Sequence, residues 1–462
     1  MLIIHFDFVV AELIFLGGVG ELGANSVYLY IDGTGIIIDA GLHPRKRDKD
    51  ALPAYESIIG NPVDLLILTH AHTDHIGGIP YLLKFFPHTK IIMTKATRDL
   101  AEIMLKDTAK LLQTELVAEY SIDNLSLYKP EVLENIWMLM DGYNYYEGIK
   151  FCGYAGRSEI KITLYPSGHI LGSASVKIDF GGESLLHSGD IQFINQAVIA
   201  GADLPKHHIE YLLIESTNAG EPNLPDYNDE IKRFSKYVNQ IVDKNGSILI
   251  PAFALGKTQE VLKIIYSLMQ NNSIPNLTIY TGGLGKIISG FYDKYCYSVP
   301  MVKPGFEISD IPQEYIIWDE LLTGKYFKEP SIVVASSGMM NKGTASYQLA
   351  QRWMKLKNSG IAFIGYLDES SPGYELLHSD MNKDFKFAGK KERRMCEVKN
   401  FRFTSHAYLN DILNYISDIK PSKIYINHGD LLSSENLSMR ISQNLNNTQI
   451  YLPEKKKTYK LL

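Results

Sequence analysis

The sequence predicts an α/β protein of two domains, and three observations support this prediction. The chain has 462 residues, which is more than one ordinary hydrophobic core uses. The apolar run 65–68 has the length of a buried strand, and a loop rich in histidine follows it directly. In the second half, short apolar runs alternate with segments of helical length, which is typical of a parallel sheet. A hydrophobic content of 45% and a charged content of 21% are those of a globular protein.

The amino-terminal part is expected to form a meander of three strands joined by turns that contain glycine. The strands are expected over residues 11–18, 25–31 and 35–38. The first turn contains Gly18, Gly20 and Gly23 in the spacing of a dinucleotide-binding loop. That loop requires a helix after its last glycine, whereas the residues that follow here alternate as in a strand. We therefore reject a dinucleotide site and favour a loop that brings backbone close to a ligand or a metal.

The most informative stretch is Thr69–His75, which follows the apolar strand and contains the pattern H-x-H-x-D-H. Imidazole and carboxylate suit zinc, which takes about four ligands, or three and a water. A short loop cannot easily direct four such side chains onto one tetrahedral ion. The spacing therefore indicates two neighbouring ions, with His70 and His72 facing one and Asp74 and His75 facing the other. A loop whose histidines cap the next helix is the alternative, but three of the chain's 13 histidines would then fall within six positions by chance.

Three more polar residues stand at predicted strand ends. Asp39 ends the strand 35–38, where it can orient a metal-binding histidine or simply cap a turn, and the sequence leaves both roles open. His169 lies between glycine turns after the expected strand 161–164, and Asp190 ends the strand that begins at Leu185. These two would supply what the histidine loop lacks, namely a third ligand for the first ion and a carboxylate that bridges both ions.

The remaining segments give the element order. Helices are expected over residues 79–86, 98–120 and 130–140, and the tyrosines of residues 143–146 are assigned to a packed loop, although exposed tyrosines can stack on bases. Strands are expected over residues 211–217, 247–253, 277–280, 331–335 and 361–366, with helices over 284–295 and 344–357 between them. Gly256, Lys257 and Thr258 imitate a phosphate-binding P-loop, but Pro251 stands where its first glycine should be. The segment 336–340 precedes a helix, whose free amides could hold an anion.

Charge and cysteine content set further limits. The net charge of −6 argues against a surface that holds nucleic acid by general phosphate neutralisation, so a polyanion would have to be attracted locally. Cys152, Cys296 and Cys396 are far apart and form no C-x-x-C motif, which favours free thiols in a reducing compartment. Residues 1–10 lack the basic region and cleavage site of a signal peptide. We therefore expect a cytoplasmic protein without membrane partners.

Taken in order, these motifs resemble those of the metallo-β-lactamase fold: Asp39, the H-x-H-x-D-H loop, His169 in G-H-x-L-G-S and Asp190 in S-G-D. The resemblance implies an αββα sandwich with a two-metal site on one edge.

The second half resembles the β-CASP nucleases through Glu215 in E-S-T, His406 in S-H-A and His428 in N-H-G. The stretches F-A-L-G-K-T-Q-E and S-S-G-M-M are also similar to β-CASP sequence. The resemblance implies a metallo-β-lactamase domain over residues 1–215, a parallel-sheet α/β β-CASP domain over 216–394, and the rest of the first domain over 395–462.

The family's site carries over to this chain residue by residue. The first ion would be held by His70, His72 and His169, the second by Asp74, His75 and His428, and Asp190 would bridge them. The ions would be divalent, zinc or else manganese. Asp74, His406 and Glu215 would be catalytic, with His406 as general acid and Glu215 orienting it. Asp39 would support a histidine ligand. Candidate contacts to substrate phosphates are Phe253, Ala254, Gly256, Ser336, Ser337 and Gly338.

The resemblance also implies a substrate. RNA-cleaving members carry a histidine at the position of His428, whereas the DNA-repair branch carries an apolar residue. We therefore expect hydrolysis of single-stranded RNA to 5′-phosphate and 3′-hydroxyl ends, internally or from the 5′ end, in RNA processing or decay. A homodimer is expected by analogy alone.

The sequence departs from the family pattern at one segment. The family's G-T-x-G-R segment is S-S-P-G-Y here, so Tyr374 replaces a cation. The alternatives are a DNA-processing member, a small-molecule hydrolase of the same fold, and a non-enzymatic RNA-binding subunit, although the last would be expected to have lost ligands.

Overall fold

The chain divides into two units, and the second interrupts the first along the sequence. The structure is a computed structural model that describes residues 10–115, 126–221, 224–315, 329–445 and 447–462. The first unit comprises the described residues of Met1–Ile194, Gly201–Pro222 and His406–Leu462. The second comprises those of Asn195–Ala200 and Asn223–Ser405.

The first part of the first unit begins with three consecutive strands, continues with strands and helices, and ends with six consecutive strands. The strands are β1 (Ala11–Gly17), β2 (Ser26–Ile31), β3 (Thr34–Ile38), β4 (Leu65–Ile67), β5 (Lys90–Thr94), β6 (Met140–Tyr143), β7 (Gly148–Phe151), β8 (Ile160–Pro166), β9 (Ala174–Phe180), β10 (Glu183–His187) and β11 (Tyr211–Glu215). The helices are α1 (Thr73–Ile76), α2 (Ile79–Phe85), α3 (Lys95–Glu115) and α4 (Pro130–Met138). Short 3₁₀ helices cover Asp48–Ala51, Tyr55–Ile58 and Ser126–Tyr128.

The second unit contributes the next run of elements, after which the chain returns to the first. The second unit contains α5 (Tyr227–Val242), β12 (Ile248–Pro251), α6 (Lys257–Gln270), β13 (Thr278–Thr281), α7 (Gly283–Lys294), β14 (Glu314–Tyr315), β15 (Ser331–Ala335), α8 (Ala345–Trp353), β16 (Gly360–Ile364), α9 (Pro372–Leu377), β17 (Asp384–Phe387), β18 (Lys390–Arg393) and β19 (Glu397–Phe401), with a 3₁₀ helix at Ile308–Asp310. The first unit is completed by α10 (Leu409–Ile419), β20 (Lys423–Asn427), α11 (Leu431–Asn444), β21 (Gln449–Tyr451) and β22 (Thr458–Lys460).

Two sheets pack face to face in the first unit. One has the order β22-β1-β2-β3-β4-β5-β6 and the other β21-β20-β11-β10-β9-β8-β7. A single apolar core joins them, and it contains Leu13 and Ile67 from the first sheet together with Leu185 and Leu213 from the second. Because successive side chains of a strand point to opposite faces, Leu186 and Leu212 belong to a different core, which they share with α10 and α11. Helix α3 packs against β5 and β6 of the other sheet. The predicted αββα sandwich is confirmed.

Parallel pairing determines where the polar loops meet. In the first sheet β3, β4 and β5 run parallel, so Asp39 after β3 lies beside the loop that follows β4. In the second sheet β10, β11 and β20 also run parallel. Their carboxyl ends carry Asp190, Glu215 and His428 in neighbouring positions. Within each sheet, the predicted site residues therefore emerge at one edge, as expected for the carboxyl ends of parallel strands.

The second unit is built on one parallel sheet, as the alternation of strands and helices predicts. Its order is β14-β13-β15-β12-β16-β19, and each neighbouring pair runs parallel. Helices α8 and α9 cover one face with Tyr347, Trp353 and Leu376. The hairpin of β17 and β18 stands apart from this sheet as a two-stranded sheet of its own.

Some predicted boundaries differ from the observed ones. Helix α4 ends at Met138 because β6 begins at Met140 and pairs with β5, so the tyrosine cluster starts inside a strand rather than in a loop. Residues 116–120 of the helix expected over 98–120 lie outside the described residues. The domain boundary expected at residue 394 falls before β19, which pairs with β16 and so belongs to the second unit. Among the residues that the structure describes, no helix is both long enough and apolar enough to cross a membrane.

Candidate metal centre

Three imidazoles meet at one edge of the first unit. His70 and His72 lie in the turn between β4 and α1, and His169 lies in the loop after β8. His72 Nδ1 lies 3.1 Å from His70 Nε2 and 3.2 Å from His169 Nε2. The side chains of His70 and His169 are buried, whereas His72 is partly exposed. Three ring nitrogens that face one another at these distances form a ligand set for one divalent ion.

A second group of ligands lies next to the first. His75 Nε2 is 3.4 Å from His428 Nε2. Asp74 Oδ2 lies 3.7 Å from His75 Nε2 and 3.5 Å from His428 Nε2. Asp74 and His75 come from the short helix α1, whereas His428 follows β20 of the opposite sheet, where it adopts a positive φ of 47°. The sandwich therefore brings together possible ligands from distant parts of the sequence: His75 and His428 are 353 positions apart.

Asp190 lies between the two groups with one carboxylate oxygen directed to each. Its Oδ2 is 3.5 Å from His70 Nε2 and 3.6 Å from His169 Nε2. Its Oδ1 is 3.5 Å from His75 Nε2 and 3.3 Å from His428 Nδ1. The carboxylate is 3% exposed, so a charge there needs compensation by neighbouring groups. A carboxylate in this position can share its two oxygens between two ions.

Asp39 lies behind His75, on the side of the ring away from the other ligands. Its Oδ2 is 2.7 Å from His75 Nδ1, which leaves Nε2 of that ring facing Asp190 and His428. Asp39 also accepts hydrogen bonds from the backbone N–H and the hydroxyl of Thr69, both at 2.8 Å. Asp39 is itself in the left-handed region with φ of 61°. A carboxylate in this position fixes the ring orientation and tautomer of a metal-binding histidine.

The electrostatics of the site follow from burial and from its alternating charges. Burial opposes ionisation of Asp190, but the neighbouring His428, His75 and His70 hold its pKa well below the usual range. Burial also opposes protonation of His75, but Asp190, Asp39 and Asp74 raise its pKa well above the ordinary value. Burial, reinforced by the charge of His75, lowers the pKa of His70. A bound cation would therefore compete with a proton for His75.

The residues present fit divalent ions. Asp190 Oδ1 is buried and has no hydrogen-bond partner among the described residues, although it faces two histidine rings. Such an oxygen would be satisfied by coordination to a cation. Imidazole and carboxylate are the donors preferred by zinc and are also used by manganese. The described residues contain three overlapping groups of possible ligands, and within each group the ligand atoms lie within 4.8 Å of one another. One of these groups joins Asp190 and His428 to Glu215 and His406.

His406 and Glu215 form a separate pair at the rim of this centre. His406 Nδ1 lies 2.9 Å from Glu215 Oε2 and 3.1 Å from Oε1. The Glu215 side chain is 1% exposed and also accepts a 2.6 Å hydrogen bond from the backbone N–H of Ile191. The His406 side chain is 21% exposed, and its ring lies 4.7 Å from that of His169. His406 is therefore held from behind and remains accessible to a substrate at the metal-ligand edge.

Several residues that the sequence did not single out support the predicted ones. Gln192 and Asn218 donate hydrogen bonds of 2.8 and 3.0 Å to the backbone carbonyl of His406. The Thr217 hydroxyl lies 3.0 Å from His428 Nδ1, and Asn25 Nδ2 lies 3.1 Å from His75 Nε2. Buried His187 accepts a hydrogen bond from the backbone N–H of Gly189 in the turn that carries Asp190, and burial lowers its pKa to about 4. The sequence gives one indication of three of these residues, which is their position shortly after a predicted site residue. Gln192 follows Asp190, and Thr217 and Asn218 follow Glu215.

The candidate phosphate contacts lie at the carboxyl ends of β12 and β15 in the second unit. The Phe253 ring is 36% exposed and packs against Gly338, where a Cβ atom would come within 2.9 Å of the ring. Gly256 precedes α6 with a φ of 88°, and its N–H donates to the Gln259 side chain at 3.0 Å. The carbonyls of Ser336 and Ser337 accept bonds from Ser346 at the start of α8. The candidate phosphate contacts thus lie together at one edge of this sheet. Their contact with substrate phosphates stays a prediction.

Comparison with known families agrees with this site. Residues 19–219 match the Metallo-beta-lactamase superfamily, residues 258–376 match the Beta-Casp domain, and residues 391–453 match the Zn-dependent metallo-hydrolase RNA specificity domain. The chain belongs to the metallo-β-lactamase superfamily, and within it to the members that carry a β-CASP domain. That family implies binding of divalent metal.

Similar curated proteins come from archaea and eukaryotes. An "RNase J-like protein" of Methanocaldococcus jannaschii is 29% identical over 93% of this chain and 95% of its own length. "Cleavage and polyadenylation specificity factor subunit 3" of Dictyostelium discoideum is 28% identical over 91% of this chain, and "Endoribonuclease YSH1" of Kluyveromyces lactis is 25% identical over 90%. The chain spans only 53% and 55% of the length of these two eukaryotic relatives.

A solved structure shares the fold. The crystal structure of a protein of unknown function from Enterococcus faecalis superposes with a TM-score of 0.59 at 14% sequence identity. The match covers 98% of this chain and 100% of the other. At this identity the similarity concerns the fold and carries no information on substrate.

Proposed function

We propose that the protein is a metal-dependent ribonuclease that hydrolyses RNA phosphodiesters to 5′-phosphate and 3′-hydroxyl ends. The observation that carries this proposal is the arrangement of two ligand groups around Asp190, with the His406–Glu215 pair at their rim. A metal centre combined with a separate, oriented histidine suits the hydrolysis of a phosphodiester, which needs both charge stabilisation and protonation of a leaving group. The names of the relatives, which include an endoribonuclease, support RNA as the substrate.

Two ions, most simply zinc, with manganese as the alternative, would divide the ligands between them. His70, His72 and His169 would hold the first and Asp74, His75 and His428 the second, with Asp190 contributing to both. Two divalent ions in such a site lower the pKa of water and stabilise the charge that develops on phosphate oxygens. In this division Asp74 supports catalysis through metal binding, because its loss would leave the second ion with two histidines and the shared Asp190.

His406 is the general acid in this proposal. Glu215 engages its Nδ1, so Nε2 is the nitrogen that can transfer a proton to the departing 3′ oxygen of RNA. A carboxylate partner favours the protonated ring, which is the form that a general acid requires near neutral pH. The hydrogen bonds from Gln192 and Asn218 to the His406 carbonyl fix the backbone of this residue. His406 therefore has the restraint that proton transfer at a defined atom requires.

Cleavage of matched single-stranded RNA and DNA of one sequence tests the substrate directly. We expect the RNA to be cut and the DNA to be resistant, with 5′-phosphate and 3′-hydroxyl ends on the products. Product lengths from 5′-labelled and internally labelled RNA separate endonuclease activity from 5′→3′ exonuclease activity. Equal cleavage of DNA would favour a DNA-processing enzyme, and turnover of thioester or lactam substrates without RNA cleavage would favour a small-molecule hydrolase.

A cytoplasmic location and a homodimeric state are further proposals. The three cysteines are unpaired in the structure, and Cys296 and Cys396 are buried, which is consistent with a reducing compartment. Light scattering after gel filtration measures the oligomeric state, and cell fractionation measures the location.

A further inference from the structure

The two-stranded hairpin of β17 and β18 has one aromatic face and one cationic face. Its register pairs Phe385 with Glu392 and Phe387 with Lys390, and it pairs Asp384 with Arg393 and Lys386 with Lys391. Residues paired across an antiparallel ladder share a face, so the phenylalanines lie on one side and Lys386, Lys391 and Arg393 on the other. Phe387 is buried and stacks on Tyr347 with a ring distance of 5.2 Å. The aromatic face therefore anchors the hairpin to the second unit and directs the other face to solvent.

The outer face carries an arrangement of charge that folding alone does not favour. Lys386 and Lys391 are both exposed and lie directly opposite each other, and like charges in this position destabilise a sheet. Arg393 is exposed on the same face, and the cation Lys390 lies at the turn. Asp384 is the acid of this face and lies 2.9 Å from Lys391. An ion pair between two such exposed groups contributes little, so it does not remove the excess of positive charge.

This local excess contrasts with the net charge of −6 of the whole chain. We propose that the outer face of the β17–β18 hairpin binds the phosphate backbone of single-stranded RNA. The proposal rests on the proposed function for the identity of the polyanion. Alternate residues of a strand are about 6.6 Å apart and cross-strand partners about 5 Å, so the cations form a fixed array rather than a flexible tail. Such an array attracts successive phosphates without reading bases and releases their counterions.

A charge reversal separates this role from a structural one, because the two roles predict opposite effects on Lys386→Glu. In the free protein this substitution replaces a repulsive cross-strand pair with an attractive one, so the Tm should be unchanged or higher. RNA binding should weaken by roughly three- to tenfold at low salt, because a cation is lost and an anion is added. Lys386→Arg preserves the charge and should retain the affinity.

The measurement is fluorescence anisotropy with labelled single-stranded RNA over a range of salt concentrations. The full chain carries Asp74→Asn in every sample, so that cleavage does not interfere. The double variant Lys386→Gln/Lys391→Gln should reduce the slope of log affinity against log salt by about 1.4, or about 0.7 for each lost phosphate contact. Lys236→Glu, an exposed lysine on α5 of the same unit, is the matched control and should bind as the parent does.

The outcomes distinguish this inference from the proposed function. If Lys386→Glu and the double variant bind RNA no more weakly than Lys236→Glu, the inference is overturned even though the wild-type chain cleaves RNA. The lysines would then protect a sheet edge or contact an acidic protein. If no sample binds RNA, both the proposed substrate and this surface are overturned. If Lys386→Glu loses affinity while its Tm is maintained, the inference is supported whether or not the wild-type chain cleaves RNA.

Discussion

Glu215 engages His406 through both of its carboxylate oxygens, at 2.9 and 3.1 Å from the same Nδ1 atom. Glu215 ends β11, whereas His406 is the residue at which the chain returns from the second unit to the first. The pair therefore joins the two ends of the long insertion at the rim of the metal-ligand edge. Because Glu215 is buried and His406 is accessible, the carboxylate can influence a substrate only through the imidazole, which is the role proposed for it.

Replacing His406 by alanine should abolish most turnover and leave the metal content unchanged. A general acid contributes typically 10²- to 10⁴-fold, so a loss of about this size in kcat is expected. The measurement combines RNA cleavage rates with metal analysis by mass spectrometry. Glu215→Gln should give a smaller loss and shift the pH profile, because it removes the negative charge beside Nδ1. Loss of an ion in His406→Ala would instead make this residue a ligand, as its proximity to Asp190 and His428 allows.

Asp190→Ala should lose both activity and metal. The carboxylate lies within 3.3–3.6 Å of one ring nitrogen of each of four histidines, His70, His75, His169 and His428. Without it, two ions would lack their shared anion. Metal content per chain after dialysis measures the effect, and Asp179→Ala, an acid on β9 of the same sheet, is the control. Two retained ions in Asp190→Ala would contradict the bridging role.

Asp39→Asn should weaken metal binding without removing a ligand. Its carboxylate accepts from His75 Nδ1 and from Thr69, and partners of this kind affect metal affinity by about 10- to 100-fold. Competition with a chromogenic chelator measures the affinity. Asp64→Asn is a matched control, since Asp64 also accepts two hydrogen bonds, from the N–H groups of Gly35 and Tyr154. An unchanged metal affinity in Asp39→Asn would show that Asp39 only caps a turn and does not support the metal site.

The stability of the metal-free protein should fall as the pH rises above 6.5. The pKa of His75 is raised in the folded state, so its contribution is complete below the ordinary value of 6.5 and is lost as the pH passes through the raised value. His70, His72 and His187 have lowered pKa values, so their effect on stability changes only below pH 6.5. The pKa of the exposed His208 is also raised, by its hydrogen bond to Glu210, so the decline above pH 6.5 combines His75 with His208. Burial lowers the pKa of Lys257 to about 8, so Lys257 acts in the opposite direction above that pH.

Thermal melts between pH 6 and pH 9 in a chelator test this dependence. With zinc present the trend should reverse, because metal binding requires His75 without its proton. A Tm of the chelated protein that rises over this range would contradict the charge state assigned to His75.

The sequence was sufficient to predict the fold class and the grouping of the candidate ligands. The H-x-H-x-D-H loop, Asp190 and His428 each follow an apolar strand, and parallel strands place their carboxyl ends at one edge. The approach of Asn25 to His75 could not be predicted, because it depends on how the loop after β1 folds over α1. Similarly, the stretch 133–140 fits a helix throughout, and only pairing with β5 makes Met140 the start of a strand.

In the proposed function, RNA cleavage depends on the metal centre built around Asp190. The most direct test is a zinc titration of the metal-free protein, with the cleavage rate of labelled single-stranded RNA measured at each step and Asp74→Ala run in parallel. Cleavage should appear as the second equivalent of metal binds and should stay absent in Asp74→Ala. Cleavage by the chelated protein, or no cleavage when two ions are bound, would contradict this dependence on the metal centre.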